Sequence, residues 1–212
     1  MVQKRKSTGA RKTQIIAAAR KLIIRKGSEH LTVRAIAKEV EITEAAIYRH
    51  FKSKREILLF LMNHIMDTML KEVETREAAD PQALKSLYDV MAEHLTEIEQ
   101  RRGMSFHVIA EIISLGDKKL NRDVYQKLQL YIDRLKGLLL EGVRQEEIRA
   151  DIDPASAALL LFGMIQGLVN YWALSNCSFD LGRNFASLWD VYSKAIIKPA
   201  SSPSPPPADS LA

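Results

Sequence analysis

Several things are scarce in this chain of 212 residues, and each scarcity removes a class of function. It has one cysteine, Cys177, so neither an intrachain disulfide nor a Cys-based zinc cluster can form. None of its nine glycines forms part of a glycine-rich phosphate loop, and no serine sits in a nucleophile elbow. His94 and His107 stand at no i, i+4 spacing from each other or from another histidine, so no metal site is expected. The longest apolar runs, such as "AALLLFGMI", are shorter than a bilayer span, and the opening "MVQKRKSTGARK" lacks the apolar stretch of a secretory signal. The expectation is a soluble cytoplasmic protein that is no enzyme, takes no cofactor and enters no membrane.

Charge is present but unevenly placed. Residues 1–56 hold 15 Lys and Arg against 5 Asp and Glu, a balance of +10, whereas the remainder holds 16 against 21, a balance of −5. A basic module joined to a mildly acidic body suits a polyanionic partner for the first part only. Lys4, Arg5, Lys6, Arg11 and Lys12 supply half of the excess, which a solvated basic tail would explain equally well.

No segment alternates in the manner of a strand; apolar spacing is helical nearly throughout, which predicts an all-α fold of about nine helices. Ile15, Ala19, Leu22 and Ile23 form an amphipathic stripe over 11–26, and Gly27 ends it with a left-handed residue. Thr32 caps a second helix with Val33, Ile36, Ala37 and Val40 on one face, and Thr43 caps a third that buries Ile47 and Phe51. "SKRE" at 53–56 has the form of a capping box opening a long helix through Ile57, Leu58, Leu61, Ile65 and Leu70 to about Arg76. "ADPQ" and "IDPAS" place proline at the first turn of helices over 81–101 and 154–176. "MSFHVIAEIISL" and "NRDVYQKLQLYIDRLKGLLLEGVRQ" read as two more, and 181–197 as the last. This divides the chain into a basic flexible tail (1–10), a small helical module (11–56), a helical body (57–198) and a disordered Pro/Ser-rich tail (199–212).

Residues 32–51 fit a helix-turn-helix, two short helices joined at Val40–Ile42, which can lay its second helix in a DNA major groove. That helix exposes Glu44, Ala45, Ala46, Tyr48, Arg49 and His50. Small side chains at 45 and 46 permit close approach, and Arg49 can offer two parallel donors to guanine. Tyr48, His50, Lys52 and Lys54 suit phosphate oxygens, with Arg34 at a groove edge and anion sites at the helix starts by Thr32 and Ser53. A generic buried hairpin has the same spacing but no need for Tyr-Arg-His-Phe followed by Lys52, Lys54 and Arg55.

On these residues the stretch "TVRAIAKEVEITEAAIYRHFKSKREIL" resembles the DNA-binding domain of the tetracycline-repressor (TetR) family. The matches are Thr32, Ile36, Ala37, Thr43, Ala45, Tyr48, His50, Phe51, Lys54 and, displaced by one residue, Ile57 and Leu58; the close match covers about 11–60. Two positions depart from the family pattern. Val40-Glu41 replaces the common Ala-Gly of the turn, which requires a positive φ at Glu41 or a different turn. Glu44 repels phosphate but can accept from cytosine N4.

The resemblance implies a larger half that binds a small effector and dimerises through its last two helices, so that a homodimer occupies a palindromic operator in double-stranded DNA. The run "SAALLLFGMIQGLVNYWAL" is apolar nearly all round, as in a helix covered on every side, and Gly163 and Gly167 permit close helix approach. With them, Phe162, Tyr171, Phe185, Leu188, Trp189 and Tyr192 are the expected dimer residues. Tyr88, Met91, His94, Leu95, Phe106, Ile109, Ile113, Tyr125, Leu128, Tyr131, Phe162, Gln166 and Asn170 are candidates to line an apolar effector cavity, although each also suits an ordinary core. The expected function is a transcriptional regulator, a repressor released by a largely hydrophobic ligand. The alternative is a DNA-binding architectural or cell-division protein of the same fold acting through a protein partner. A helical enzyme has no catalytic constellation to stand on.

Overall fold

The computed structural model describes residues 8–79 and 82–199. Nine α-helices follow one another among them: α1 Thr8–Lys26, α2 Val33–Val40, α3 Glu44–Tyr48, α4 Lys54–Ala79, α5 Ala83–Gln100, α6 Met104–Ser114, α7 Lys118–Arg144, α8 Pro154–Leu174 and α9 Leu181–Ile196. A 3-10 turn, Ser28–His30, joins α1 to α2. The described chain is all-α, its one departure being an isolated antiparallel bridge between Ile148 and Ile197. Because α1 starts at Thr8, the last residues of the expected tail are helical; residues 1–7, the Asp80-Pro81 helix start and 200–212 lie outside the described residues.

Local chemistry sets the helix ends of the small N-terminal head. Gly27 does terminate α1, but at φ 87 and ψ 164 rather than in the left-handed helical well, a region open essentially to glycine alone. The Thr32 hydroxyl accepts from the Ala35 amide at 3.0 Å, and the Thr43 hydroxyl accepts from the Ala46 amide at 3.2 Å. Glu41 takes the left-handed conformation, φ 59 and ψ 46, that the missing glycine demands. The Ile42 amide then closes on the Ala37 carbonyl at 3.0 Å, a Schellman-type ending. The capping box at α4 is offset: the Glu56 amide donates to Ser53 Oγ, but the Glu56 carboxylate accepts from the Lys52 amide at 2.5 Å, not from Ser53.

Helix α4 is shared between head and body. It packs on α1 at one side and on α5, α6 and α7 along its length, while α7 and α8 pack together deeper in the body and α9 closes it against α5 and α8. Its buried stripe is Ile57, Leu58, Leu61, Met62, Ile65, Met66, Met69 and Val73; Leu70, expected in that stripe, is only half-buried. The methionines Met62, Met66 and Met69 occupy the positions that carry the stripe into the body.

The left-handed Glu41 carries a conformational cost of about 1 kcal/mol. Glu41→Gly is therefore expected to hold or raise the thermal midpoint, and Glu41→Val to lower stability by roughly 1–2 kcal/mol. Equal losses for both substitutions in denaturant unfolding at fixed protein concentration contradict this account.

Candidate functional site

The recognition unit is more compact than its sequence suggested. Helix α3 spans only Glu44–Tyr48, with Arg49 as its C-cap at φ −70 and ψ −21. Amides of His50 and Phe51 both return to the Ile47 carbonyl, at 2.8 and 3.0 Å, so the chain stays wound for one tighter turn. Ile47 and Phe51 are buried and anchor this unit, and Phe51 meets Phe60 of α4 edge-on at 5.7 Å and the Lys12 ammonium at 5.5 Å. What remains outward is Thr32, Arg34, Thr43, Glu44, Ala45, Tyr48 (50% exposed), Arg49 and Lys52, with Ala46 and His50 half-buried. His50 Nδ1 is buried without a hydrogen-bond partner among the described residues.

Cations on this side of the molecule fall into two groups. Arg34, Arg49 and Lys52 make no ion pair with any described residue, whereas Lys21 and Arg25 are both held by Glu39 at 2.7 and 2.6 Å. Lys54, expected to hold phosphate, instead pairs with Glu111 of α6 at 2.6 Å, half-sheltered on both sides. Arg55 pairs with Asp117, at the start of α7, at 2.5 Å. These two ion pairs fasten the start of α4 to the body. At the same helix start the Glu56 carboxylate covers the Lys52 amide, so an anion approaching near Ser53 meets a negative charge, contrary to expectation.

In the body, the expected cavity-lining residues separate into three places. His94, Tyr131 and Phe162 form one cluster, with ring centroids 6.1 and 6.3 Å apart in succession. Met91, beside Tyr131, and Leu95 are buried with the core; Phe106, Ile109, Leu128 and Gln166 are half-buried. Tyr88 belongs elsewhere, stacked on Phe185 at 5.4 Å and edge-on to Trp189 at 5.5 Å between α5 and α9. Ile113 and Tyr125 are 66 and 64% exposed and Asn170 is also exposed, so these three do not line an interior. On each, helical spacing was right but the face was wrong by part of a turn.

The interior around His94 has little free space: the cleft bounded by Ile65, Met69, His94, Glu97, Ile98, Arg101, Met104 and Ser105 holds about 20 Å³, enough for about one water. Its polar groups are poorly satisfied. His94 Nδ1 and Trp172 Nε1 are buried with no hydrogen-bond partner among the described residues, and the Tyr131 hydroxyl has only the Met91 sulfur at 3.9 Å. Burial, with Arg101 nearby, holds the His94 imidazole down to about 4, so it is neutral near pH 7. Burial and then Glu72 push the Tyr131 hydroxyl upward. Glu72 itself, on α4, is pushed up to about 7 by burial and by the carboxylates of Glu97 and Glu93. Sequence reasoning did not single out Met62, Met66, Met69, Met104, Glu72, Arg101 or Trp172. The usable signal was the recurrence of methionine at 62, 66 and 69, one face of one helix.

The expected dimer face also divides. Phe185 and Tyr192 are buried within the chain, 0 and 4% exposed, and Leu188 and Trp189 are half-buried; the aromatic side of α9 faces α5 rather than a second copy. On α8, by contrast, Leu160, Gly163, Gly167, Tyr171 and Leu174 lie uncovered on one stripe, with Leu160, Tyr171 and Leu174 at 61, 69 and 84% exposure. Val191 on α9 is likewise 69% exposed. By length and composition α8 is apolar enough to cross a membrane, but its other face, including Ala158, Leu161, Ile165 and Trp172, is packed into the body.

Residues 15–60 match the model for bacterial regulatory proteins of the tetR family, and residues 61–195 match the C-terminal region of YsiA-like proteins. The chain belongs to the TetR family of transcriptional regulators. Among its TetR-family relatives, the fatty acid metabolism regulator protein of Bacillus subtilis is 29% identical over 172 residues, covering 79% of this chain and 86% of its own. The nucleoid occlusion factor SlmA of Photobacterium profundum is 24% identical over 188 residues, 89% of this chain and 96% of that protein. The crystal structure of the Bacillus subtilis regulator FadR in complex with stearoyl-CoA superposes with a TM-score of 0.71 at 26% identity, covering 87% of this chain and 98% of that one. These similarities support DNA-binding regulation as the protein's activity.

Proposed function

We propose that this TetR-family chain is a cytoplasmic, homodimeric repressor that leaves a palindromic operator when a long, mainly apolar molecule enters its body. The observation that carries this reading is a methionine-lined core whose polar groups lack partners. Met69 and Met104 line the His94 cleft, Met91 lies against the Tyr131 hydroxyl, and Met62 and Met66 are buried on the same face of α4 as Met69. Unpartnered buried donors cost roughly 1–3 kcal/mol each, a cost that a ligand oxygen or trapped water removes. Methionine is unbranched and repacks readily, so such a core can open for a chain that the cleft of about 20 Å³ does not admit. The likeness to a fatty acid metabolism regulator, and to a structure bound to stearoyl-CoA, supports a long acyl chain as the apolar part. An architectural protein working through an external partner has no use for such unsatisfied groups, and so the core speaks against that alternative.

Release requires that the ligand prefer the conformation that does not bind DNA, whatever its affinity. The route for such coupling is α4, with its pairs Lys54–Glu111 and Arg55–Asp117 tying the head to α6 and α7. In the complex, Arg49 reads a base while Tyr48, His50, Arg34 and Lys52 hold phosphates; Lys54 acts through Glu111 rather than through DNA. Dimerisation covers the uncovered stripe of α8 with its counterpart and with Val191 of α9, closing the all-round apolar helix.

For DNA reading, sites are first selected from random sequence. Arg49→Ala is then expected to relax preference at one position, costing about 1–3 kcal/mol there, whereas Lys52→Ala weakens all sites alike and reduces the salt slope by about 1. A uniform loss from Arg49→Ala contradicts this division of roles.

For assembly, Gly167→Arg is the cleanest substitution, because a Cβ at this position meets nothing within 4 Å inside the chain. It is expected to keep its helical content, sediment as a monomer and lose tight operator binding. A dimeric Gly167→Arg protein, or a wild type that is monomeric at micromolar concentration, contradicts the assignment of this face.

A further inference from the structure

The end of α9 leaves an aromatic groove uncovered. Leu84, Lys85 and Tyr88 of α5 face Trp189, Ser193 and Ile197 across a surface cleft of about 360 Å³. Ile197 is exposed, and Tyr88 and Trp189 are half-buried, edge-on to each other at 5.5 Å. Lys85 pairs with Asp89 at 3.1 Å, and Ser193 Oγ donates to the Asp190 carbonyl at 3.3 Å, so both are engaged within their own helices. The Tyr88 hydroxyl and Trp189 Nε1, by contrast, make no hydrogen bond with any described residue. Aromatic faces beside unused donors suit a partner rich in ring carbons and free carbonyls, and poor in donors of its own. A proline-rich strand in the polyproline II form has that chemistry. Its prolines lack an N–H, its carbonyls make no internal hydrogen bonds, and its shape is set before it binds.

The chain itself carries such a segment within reach. The run "PSPPP" at 203–207 begins six residues after Ile197, which lines the groove. The Leu84 amide and the Lys198 amide both bond to Glu147, so the chain leaves the groove at its Leu84 end, with Tyr88 and Trp189 at the other. From Ile197 back to Trp189 is about 12 Å along the helix. Five residues of polyproline II span about 15 Å, which leaves residues 199–202 to reverse the direction of the chain. We propose that residues 203–207 fold back into this groove, their rings against Tyr88 and Trp189 and their carbonyls accepting from the two free donors. The tail of the same chain is the occupant rather than that of a second copy. Val191, on the side assigned to dimerisation, stands about 200° round α9 from Trp189, so the groove faces away from that side. The docked tail fastens α9 to α5, and with it the helix that carries Val191. None of this depends on what the methionine core binds.

The test uses the full chain, isotopically labelled at the tryptophan indole nitrogens, so that Trp172 and Trp189 each give one magnetic resonance signal; Trp189→Phe tells them apart. Wild type is compared with a chain carrying Pro203→Gly, Pro205→Gly, Pro206→Gly and Pro207→Gly together. All four positions lie beyond α9, so the helical content by circular dichroism is expected to stay the same. In the substituted chain the Trp189 signal is expected to move and its indole hydrogen to exchange with solvent at least about fivefold faster, with Trp172 unchanged. An identical Trp189 signal and exchange rate in the two chains overturns the proposal. Equal changes at Trp172 and Trp189 mark a general loosening of the body and overturn it as well. A mixture of labelled substituted chain with excess unlabelled wild type separates the two sources of the tail. The labelled Trp189 signal is expected to keep its substituted-chain position. Its return to the wild-type position shows a tail reaching across from another copy, and overturns docking within the chain.

Discussion

The buried stripe of α4 joins head and body. Ile57, Leu58, Leu61, Met62, Ile65, Met66, Met69 and Val73 all belong to one continuous buried cluster that also takes in Ile47 and Phe51 of the head and Met91 and Tyr131 of the body. A helix packed into such a cluster along its length can transmit repacking from body to head, because closely packed interiors shift between discrete arrangements rather than stretch. The ion pairs Lys54–Glu111 and Arg55–Asp117 tighten this coupling at the end nearest the reading head. The head's orientation is thus a property of the body's packing, which is the physical requirement for regulation of DNA binding by an internal ligand.

The composition of that packing matters as much as its location. Leucine and isoleucine at these positions would pack more rigidly; the buried methionines at 62, 66, 69, 91 and 104 are unbranched and repack more readily. The polar groups set among them, His94, Tyr131 and Trp172, then favour whichever arrangement gives them partners. In the proposed regulation, soft apolar packing supplies the capacity to open, and unsatisfied polar groups supply a reason to do so.

Much of this was legible in the sequence, and the failures have identifiable causes. Caps at Thr32 and Thr43 and the buried pair Ile47 and Phe51 followed from local chemistry, which depends on few neighbours; at Glu41 local chemistry left a positive φ or a different turn, and the structure takes the positive φ. The helical stripes also followed, but which stripe faces inward did not. Resemblance to the family, together with the aromatic stripe of the last helix, puts Phe185 and Tyr192 at a dimer face; the partner is Tyr88 of the same chain for Phe185, and for the Tyr192 hydroxyl the Ala157 carbonyl at 3.0 Å. Ile113, Tyr125 and Asn170 were misplaced by the same rotational ambiguity. Long-range ion pairing was invisible altogether: Lys54 meets a carboxylate 57 residues away, and no local pattern announces that.

The most direct test of the account is a methyl spectrum of protein labelled at the methionine methyl groups, recorded as hexadecanol or palmitate is added. The resonances of Met62, Met66, Met69, Met91 and Met104 are expected to move together as the ligand saturates, over the same concentration range in which bound operator DNA is released. Release of DNA with those resonances left at their ligand-free positions would contradict the claim that the methionine core is where the ligand acts.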